Sequence, residues 1–568
     1  MIQHIPIGVS DFRDLRERGL VYVDKSHLIQ ELLDRPGLLG LLLPRPRRFG
    51  KTLNLSMLRY FFERRDEDLS HLFEGLAIWR AGEAYRAHFQ RYPVVFMTFR
   101  DVKAPAFEAC QMAIRKKIEA LFDEHRALLD AGALSEREAR DYRAILDGTA
   151  DEVLYQRALC DLSAYLHRAY GEKVVILIDE YDEPIHAGFV GGYAREVLDF
   201  FRAFLTGGIK DNPHLARAVL TGILRVARES IFSGLNNIGV YSLLRPEFST
   251  CFGFTEPEVL ALLTDGDALD RLESVRRAYN GYVFGETVVY NPWSVLSFLA
   301  SDDRRTRSYW VSTSANELIR DLLVFHALDV EDDIAVLLEG GAIEQRLDEN
   351  VALDQLPGSP RALFALLVFS GYLRAEATET GTTHVPAYRL SIPNDEVREV
   401  YTSTFRDWMA ERLSGQGASS RRLVRALLSG DAATFEEQLR AFVTNVLSYH
   451  EARRLGPEEV YHGFVAGLLA TLEPDYEVRS NRESGEGRPD VLVRPRQPGK
   501  PGVVLEMKVA RGGQTLEQAL DEGIAQIARR DYTAELRAAG ASPVHALAVA
   551  FNGKQVAVRE AEGIGRRS

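Results

Sequence analysis

The sequence contains little cysteine, and its cysteines form no framework. Only Cys110, Cys160 and Cys251 occur among 568 residues, far apart and odd in number. That pattern fits neither a disulfide-stapled fold nor the paired cysteines of a zinc site. We therefore expect the protein to reside in a reducing cytoplasm.

Long apolar runs are also lacking. No stretch approaches the ~20 apolar residues of a membrane-spanning helix. The opening MIQHIPIGVSDF has no basic segment followed by an apolar run. We expect neither a membrane span nor a signal peptide.

An excess of positive charge is missing as well, since the net charge is −13. This excludes a protein whose whole surface is basic. Any contact with nucleic acid would depend on a local groove lined by Lys and Arg.

What is present is the composition of an ordinary globular protein, with 46% hydrophobic and 27% charged residues. It supplies enough apolar material for several cores. At 568 residues the chain exceeds the roughly 100–200 residues of one domain. We predict three domains, at residues 1–255, 256–445 and 446–568.

In the first predicted domain, apolar runs typical of buried strands alternate with helical patterns. The strand candidates are GLLGLLLP, YPVVFMTF, KVVILIDE and ARAVLTGI. Strands separated by helices favour a parallel sheet covered by helices, which is an α/β fold.

The rest of the chain changes pattern twice. Residues 256–445 have mostly helical patterns, in segments such as NPWSVLSFLA and ANELIRDLLVFHAL. After Tyr449, the strand candidates YEVRSN, PDVLVRP, VVLEMKV and HALAVAFNG accompany the helix candidate LEQALDEGIAQIARR. We predict a helical middle region followed by a separate α/β domain.

The stretch LLLPRPRRFGKTLNLS ends like a phosphate-binding loop. Gly50, Lys51 and Thr52 follow a strand candidate and open a helix, a place where backbone N–H groups hold phosphates. Lys51 would reach the β- and γ-phosphates, Thr52 would bind Mg²⁺, and Arg48 would contact phosphate beside them. Arg45, however, stands where the usual pattern has its first glycine. By itself the segment is explained equally well as a basic turn.

A second part of such a site follows in VVILIDEYDEP. A buried strand candidate runs into Asp179 and Glu180 at its carboxyl end, where ligands of open α/β sheets bind. Asp179 would hold Mg²⁺, and Glu180 would polarise the attacking water. Thr221 ends a later strand candidate and would sense the γ-phosphate, while Arg225 and Arg228 are candidates for an arginine that neutralises transition-state charge. Solvated acids capping a strand are the alternative.

Six segments together make the sequence resemble the AAA-ATPase-like family that is usually joined to a PD-(D/E)xK nuclease-like domain: FRDLRERGLVYVDKSHLI, RPRRFGKTLNLS, ILIDEYDEPI, LTGILRVARESIFSGLNN, FGFTEPEV and YNGYVFG. The resemblance covers about the first half of the chain and resumes at the C-terminus. It implies a P-loop NTPase sheet that binds ATP with Mg²⁺. In that family an arginine-rich loop replaces the usual glycine, which leaves open whether Arg45, Arg47 and Arg48 bind phosphate or slow hydrolysis.

The resemblance also points to Tyr22, Asp24 and Lys25 in VYVDKS and to Asn236 and Asn237 in SGLNN. Roles in turns and helix caps explain these residues without a ligand.

In the last predicted domain, GRPDVLV and VVLEMKV place Asp490 near the start of one strand and Glu506 and Lys508 on the next. Because side chains alternate along a strand, Glu506 and Lys508 share a face. Two carboxylates can hold Mg²⁺, which activates water and stabilises charge on a phosphate, and Lys508 would position that water. An ion pair on an exposed strand is the alternative. The apolar residues around Glu506 and Lys508 make buried charge costly unless it has a function.

This series resembles the PD-(D/E)xK pattern, which implies a restriction-endonuclease-like α/β domain. Pro489 precedes the first acid, and a downstream helix carries Gln526 and Tyr532. An upstream helix, PEEVYHGFVAGLL, would supply a further metal-binding acid. Glu458 is favoured over Glu459 for that role, and an ordinary acid at a helix start is the alternative.

Together these patterns predict an ATP-regulated, Mg²⁺-dependent nuclease acting on nucleic acid, DNA in preference to RNA, with homo-oligomerisation left open. The alternative is a nucleotide-dependent switch or scaffold whose nuclease-like domain binds nucleic acid or a protein without cleaving it. Six basic residues of the last domain offer phosphate contacts: Arg488, Arg494, Arg496, Lys500, Arg529 and Arg530.

Overall fold

The chain forms two compact units, Met1–Tyr401 and Thr402–Ser568, in the computed structural model. In the described part of the chain, no helix is both long enough and apolar enough to cross a bilayer. The structure describes residues 4–210, 212–223, 238–310, 322, 330–338, 340–349, 359–378, 386–401, 417–446, 472, 475–480, 489–510, 514–530, 532–552 and 555–561.

The elements of the first unit are, in chain order, α1 (Phe12–Glu17), α2 (His27–Leu33), β1 (Gly40–Pro44), α3 (Lys51–Phe62), α4 (Ala77–Arg80), α5 (Glu83–Arg86), β2 (Val94–Thr98), α6 (Phe107–Glu124), α7 (Glu136–Leu146), α8 (Glu152–Tyr170), β3 (Val174–Asp179), α9 (Glu183–Gly191), α10 (Ala194–Leu205), β4 (Leu215–Gly222), β5 (Ile238–Val240), α11 (Glu256–Asp265), α12 (Leu272–Tyr279), β6 (Tyr282–Phe284), β7 (Thr287–Val289), α13 (Pro292–Ala300), α14 (Glu331–Leu338), β8 (Ile343–Arg346), α15 (Pro360–Phe369), β9 (Arg374–Ala377) and β10 (Ala387–Ser391).

The predicted parallel sheet is confirmed, with strands in the order β2-β3-β4-β1-β5. β4, which carries Thr221, lies between β1 and β3. It therefore separates the strand that precedes the phosphate-type loop from the strand that ends at Asp179. Strands β1 and β3 are buried along their whole length, as expected for parallel strands covered by helices on both faces. The carboxyl ends of the strands therefore meet at one edge of the sheet.

Helix α3 begins at the point where the loop after β1 reaches that edge. Its N-terminal cap is Gly50, whose φ of 84° lies in the left-handed region that glycine adopts without strain. The helix buries one apolar side, including Leu55, Leu58 and Phe61, against the unit. This packing holds the start of α3 fixed at the sheet edge.

The middle of the chain contains strands that the helical patterns did not indicate. β6 and β7 form an antiparallel hairpin, and β8, β10 and β9 form a three-stranded antiparallel sheet. Each of these strands is only three to five residues long, too short to show an alternating pattern. The hairpin turns at Gly285, whose φ is 59° and where a Cβ would lie 2.5 Å from Pro246 Cα.

A buried acid joins three parts of this middle region. Glu396 is 3% exposed, its Oε2 accepts a hydrogen bond from Ser294 Oγ at 2.8 Å, and its Oε1 accepts one from the Trp310 backbone N–H at 2.7 Å. Burial raises the pKa of Glu396 to about 7, although these hydrogen bonds oppose the shift. The neutral acid therefore fits this position better than the carboxylate does.

We expect the free energy of unfolding to fall as pH rises from near 4.5, the ordinary pKa of a glutamic acid, through about 7, the pKa of Glu396 in the folded protein. The protonated acid is preferred by the fold, so its stabilisation is complete at low pH and is lost above the folded pKa. The shift corresponds to about 3 kcal/mol. Denaturant unfolding from pH 5 to pH 8 should show a smaller loss for Glu396→Gln, which stays neutral. Parallel pH profiles for the two proteins would contradict this assignment.

The elements of the second unit are α16 (Gly417–Ser429), α17 (Ala432–Val446), β11 (Tyr476–Ser480), β12 (Val491–Pro495), β13 (Gly502–Val509), α18 (Leu516–Arg530), α19 (Thr533–Ala538), β14 (Val544–Asn552) and β15 (Gln555–Glu560).

The strands of this unit form a mixed sheet in the order β11-β12-β13-β14-β15. Among the described strand pairs, only β13 and β14 are parallel. Helices α16 and α17 pack on one face through Leu427, Phe435 and Leu439. Helices α18 and α19 pack on the other. Although the sequence assigned α16 and α17 to the middle region, they share a core with this sheet; the three-domain division stays a prediction.

Candidate functional site

The loop after β1 lies at the carboxyl edge of the first sheet, next to the end of β3. Lys51 is 5% exposed, and its Nζ donates to the backbone oxygens of Arg45 and Pro46, each at 3.0 Å. Burial lowers the pKa of Lys51, although nearby carboxylates, Glu180 foremost, oppose the shift. The loop therefore curls around the lysine side chain, as in a phosphate-binding loop.

Asp179 is held between two hydroxyl groups. Thr52 Oγ1 donates to Asp179 Oδ2 at 2.7 Å, and Thr221 Oγ1 donates to Asp179 Oδ1 at 2.6 Å. Asp179 and Thr221 are fully buried. The structure thus brings together three residues that the sequence predicted for one site from three separate segments.

Arg45, which raised the main doubt about this loop, is not among the described residues that line the cavity beside it. Its side chain is fully buried, and its guanidinium donates to the backbone oxygens of Pro44, Tyr241 and Phe248 at 2.8, 2.7 and 3.2 Å. Burial lowers the pKa of Arg45 to about 10, so it stays charged at neutral pH. Arg45 is a structural tie between β1 and the segment after β5.

Arg47 and Arg48 differ from Arg45 because both line the open side of the loop. Arg47 donates to Glu183 Oε2 at 3.1 Å. Arg48 lies over the ring of Trp293, 4.1 Å from its centroid. Arg48 also has a φ of 69°, a conformation that is uncommon outside glycine and that tends to occur at functional sites.

Glu180 follows Asp179 and turns toward the same loop. Its φ of 50° is again unusual for a non-glycine residue. Burial raises the pKa of Glu180, and Lys51 opposes that shift. A carboxylate with a raised pKa accepts a proton from water more readily than an ordinary one.

A cavity of about 320 Å³ opens beside the loop. Apolar and aromatic side chains line part of it, among them Val9, Tyr22, Phe254, Trp293 and Leu296. Among the described lining residues, six are cationic and only Glu180 is acidic. An apolar surface next to a cationic one suits a nucleotide, which has an aromatic base and a charged phosphate chain.

The VYVDKS segment contributes to one wall of the cavity. Lys25 donates to Glu258 Oε1 at 2.7 Å and to the Thr250 backbone oxygen at 2.9 Å. Asp24 accepts backbone N–H groups of Ser26 and Ala77, which are the turn and capping contacts expected of such a residue. Two of the quoted motifs, VYVDKS and FGFTEPEV, are therefore joined by an ion pair.

Three potential metal ligands, His27, Glu31 and Cys251, lie near this wall, with ligand atoms within 4.8 Å of one another. Cys251 Sγ donates to Glu31 Oε1 at 3.4 Å, and His27 Nε2 lies 3.2 Å from Thr250 Oγ1. Burial raises the pKa of the Cys251 thiol, although the nearby cations Arg45 and Lys25 oppose the shift. Hydrogen bonding explains this group, and the adjacent positive charges disfavour a metal ion.

In the second unit, Asp490, Glu506 and Lys508 come together on the α18 side of the sheet. Asp490 Oδ2 accepts the Met507 N–H at 2.7 Å, and Lys508 Nζ donates to Glu506 Oε1 at 2.8 Å. Val491 pairs with Leu505 across β12 and β13, so the antiparallel register continues to place Asp490 opposite Glu506. The predicted sharing of one strand face by Glu506 and Lys508 agrees with these contacts.

Glu506 is fully buried, and its second carboxylate oxygen, Oε2, has no hydrogen-bond partner among the described residues. Burial raises its pKa to about 7, Asp490 adds to the shift, and Lys508 opposes it. Gly523 of α18 faces these side chains, since a Cβ there would make ordinary van der Waals contact with Glu506 Cγ, at 3.8 Å. The sheet therefore holds an unsatisfied acid oxygen next to a second acid and a lysine.

Comparison with known proteins identifies the kind of domain at each end of the chain. A family model described as "Predicted AAA-ATPase" matches residues 6–232, and one described as "PD-(D/E)XK nuclease superfamily" matches residues 456–561. A protein of Azotobacter chroococcum mcd 1, described as an uncharacterized protein in the vnfD 5′ region, is 30% identical over 566 residues, which cover 96% of each chain. The chain belongs to the AAA-ATPase-like family. Its C-terminal part belongs to the PD-(D/E)XK nuclease superfamily, so the resemblance seen in the motifs is confirmed.

The first sheet is consistent with the P-loop NTPase fold that membership of the AAA-ATPase-like family implies. Domains of these two kinds generally use a nucleotide and a divalent metal ion, and both sites offer suitable donors. Thr52 and Asp179 present hard oxygen atoms beside the loop. The unpartnered Oε2 of Glu506 and the nearby Asp490 do so in the nuclease-like domain. Oxygen donors of this kind are what Mg²⁺ prefers.

Some predicted site residues of this AAA-ATPase-like protein lie outside the described residues, namely Arg225, Arg228, Asn236, Asn237, Glu458, Glu459 and Arg488. Their roles stay predictions. Gln526 and Tyr532 are described, and Gln526 Nε2 donates to Tyr532 Oη at 3.4 Å. Tyr532, however, lies beyond the end of α18, at the cap of α19, and not on the helix as predicted.

Two of the basic residues expected to contact phosphate, Arg494 and Lys500, lie away from the nuclease-like site. Arg494 lies 3.8 Å from Glu477, and Lys500 lies 3.2 Å from Asp475. Arg494 lies near the end of β12 that is far from Asp490, roughly 13 Å away at ~3.3 Å per residue, and Lys500 follows that end of the strand. These two residues form ion pairs with local acids.

Motif analysis missed three residues that line the nucleotide-type cavity: Arg100, Lys103 and Trp293. Arg100 and Lys103 follow β2 at the same sheet edge as Asp179. The rule that ligands bind at the carboxyl ends of strands would have identified them. Trp293 belongs to the segment NPWSVLSFLA, in which no sequence signal distinguishes a cavity-lining aromatic residue from a core one.

Proposed function

We propose that the protein is an ATP-binding, Mg²⁺-dependent nuclease that hydrolyses phosphodiester bonds in nucleic acid, DNA in preference to RNA, under the control of its bound nucleotide. The observation that carries this proposal is the buried Asp490, Glu506 and Lys508 group in a chain that also holds a lysine-centred phosphate loop. Replacing these polar groups by apolar residues would remove the cost of burying them, so their presence favours a chemical role.

In the nucleotide site, Lys51 and Arg48 would contact the phosphates, and Thr52 and Asp179 would hold Mg²⁺. Gly50 would let the backbone approach the phosphates, and Thr221 would orient Asp179. Glu180 would accept a proton from the attacking water. The raised pKa of Glu180 supports that role.

In the nuclease-like site, Asp490 and Glu506 would hold Mg²⁺, and Glu458 would complete the metal ligands. The metal would activate a water molecule, and Lys508 would position that water. Metal binding would also keep Glu506 ionised, because a cation favours the charged form of a buried carboxylate.

The decisive experiment is a cleavage assay on single- and double-stranded DNA and RNA, with Mg²⁺ or Mn²⁺ and with or without ATP. Wild type, Lys51→Ala and Lys508→Ala are compared. Loss of cleavage in Lys508→Ala would support the assigned nuclease site. Altered cleavage in Lys51→Ala would support control of cleavage by the bound nucleotide. Absence of cleavage by the wild-type protein on every substrate would refute the proposal.

We expect Glu180→Gln to bind ATP within a few-fold of the wild-type affinity but to hydrolyse it at least about 10²-fold more slowly, because the amide cannot accept the proton. Phosphate release at saturating ATP measures the effect. Glu172→Gln is a matched control, since Glu172 pairs with Arg91 at the amino end of the same sheet. Unchanged turnover in Glu180→Gln would exclude it as the general base.

A nucleotide-dependent switch or scaffold is the second candidate. The ion pairs of Arg494 and Lys500 favour it, because they leave fewer cations available to hold a nucleic acid near the metal position. A wild-type protein that binds ATP and nucleic acid or a protein but cleaves nothing would establish this function.

A further inference from the structure

The mouth of the nucleotide cavity is lined by four cations besides Lys25 and Lys51, and they come from two loops. Arg47 and Arg48 follow β1, while Arg100 and Lys103 follow β2. Their presence has consequences only if the site binds a nucleotide, so the inference drawn from them rests on the proposed function. Their individual contacts separate Arg100 from the other three.

Three of these cations already have partners. Arg47 and Lys103 share Glu183, at 3.1 and 3.0 Å, and Arg48 stacks on Trp293. Arg100 is exposed and has no acid within ion-pair distance among the described residues. Arg100 is therefore the cation most readily available to a ligand.

Arg100 also lies close to the reacting end of the site. Thr98 pairs with Asp179 across β2 and β3, and the Phe99 N–H donates to the Asp179 backbone oxygen at 3.0 Å. The next residue, Arg100, thus leaves the sheet beside Glu180. Both residues line the cavity, and after burial Arg100 is the strongest influence lowering the pKa of Arg48, so the two guanidinium groups are close enough to repel each other.

We propose that Arg100 is a catalytic residue that contacts the terminal phosphate of the bound nucleoside triphosphate, so that the chain supplies its own transition-state arginine. A polyanion between Arg48 and Arg100 would replace their repulsion with attraction. Hydrolysis would then need no arginine from a second copy of the chain.

Arg100 changes no covalent bond in the reaction it assists. A water oxygen bonds to the terminal phosphorus, and Glu180 accepts the water proton. The bond between that phosphorus and the bridging oxygen breaks, and the bridging oxygen leaves with the electron pair as part of the nucleoside diphosphate. Arg100 donates hydrogen bonds to the terminal phosphate oxygens, whose charge it neutralises.

The test uses the full-length Arg100→Ala protein and measures ATP affinity, ADP affinity and hydrolysis at saturating ATP over a range of protein concentrations. We expect ADP affinity within about 2-fold of wild type, weaker ATP binding, and hydrolysis slower by at least about 10²-fold. The wild-type rate per molecule should not depend on protein concentration. Arg91→Ala is the matched control, because Arg91 precedes the other end of β2 and pairs with Glu172.

Two results would overturn the inference. One is an Arg100→Ala protein that matches wild type in its preference for ATP over ADP and in its rate. The other is recovery of hydrolysis on mixing Arg100→Ala with Lys51→Ala, since an arginine acting between chains would complement in that mixture. If the wild-type protein binds ATP without hydrolysing it, the proposed hydrolysis fails, and the ATP-to-ADP preference of Arg100→Ala alone decides the role of Arg100.

Discussion

Lys51→Ala should lower ATP affinity by on the order of 10²-fold or more, the largest effect on affinity expected in the first unit. The wild-type lysine is already held at the centre of the loop by two carbonyl oxygens, so its ammonium needs only a small movement to meet a phosphate. The substitution removes both the charge and the hydrogen bonds. Titration with a fluorescent ATP analogue measures the loss.

A suitable control for this experiment is Lys116→Ala. Lys116 lies on α6, is 68% exposed, and pairs with Glu119, so its removal should leave ATP affinity unchanged. Circular dichroism should show the same helix content in both variants. Equal ATP affinity in wild type and Lys51→Ala would refute the assignment of the phosphate loop.

Lys508→Ala should lower nucleic-acid cleavage by on the order of 10²–10⁴-fold, the contribution expected of a group that positions or deprotonates a nucleophile. Lys508 donates a hydrogen bond to the buried carboxylate of Glu506. Its loss both misplaces the attacking water and favours protonation of Glu506, which weakens metal binding. Initial rates at saturating Mg²⁺ measure the effect.

Lys500→Ala provides the control within the same domain, since Lys500 pairs with Asp475 away from the acids. It should cleave at the wild-type rate. Thermal unfolding of Lys508→Ala checks that the sheet is intact. Cleavage at the wild-type rate by a folded Lys508→Ala protein would remove Asp490, Glu506 and Lys508 from consideration as a nuclease site.

Much of the first sheet could be predicted because β1 to β4 lie in largely apolar runs that are separated by helices. The same pattern located Asp179, since an acid at the end of a buried strand is conspicuous in a sequence. Lys51, Thr52 and Thr221 were likewise predicted; Thr52 and Thr221 donate hydrogen bonds to that acid, and Lys51 is near enough to interact with its charge. The short strands from β6 to β10 could not be predicted, because three to five residues are too few to establish a period.

The burial and the contacts of individual arginines could not be predicted from the sequence. Arg45, Arg47 and Arg48 are near neighbours in the chain, yet one is fully buried, one forms an ion pair and one stacks on an indole. Those differences arise from residues 130 to 250 positions away, such as Tyr241 and Trp293. Arg494 and Lys500 show the same limit, because their acidic partners are brought to them only by folding.

The hydrogen bonds made by Arg45 also affect the entropic cost of binding a nucleotide. Three backbone carbonyls hold its guanidinium, and Lys51 closes the loop from within, so the loop has its curved shape before any phosphate arrives. A preorganised loop loses little conformational entropy on binding. Most of the contact energy is then available as affinity, and the arginine that seemed to contradict a phosphate site lowers the entropic cost of using one.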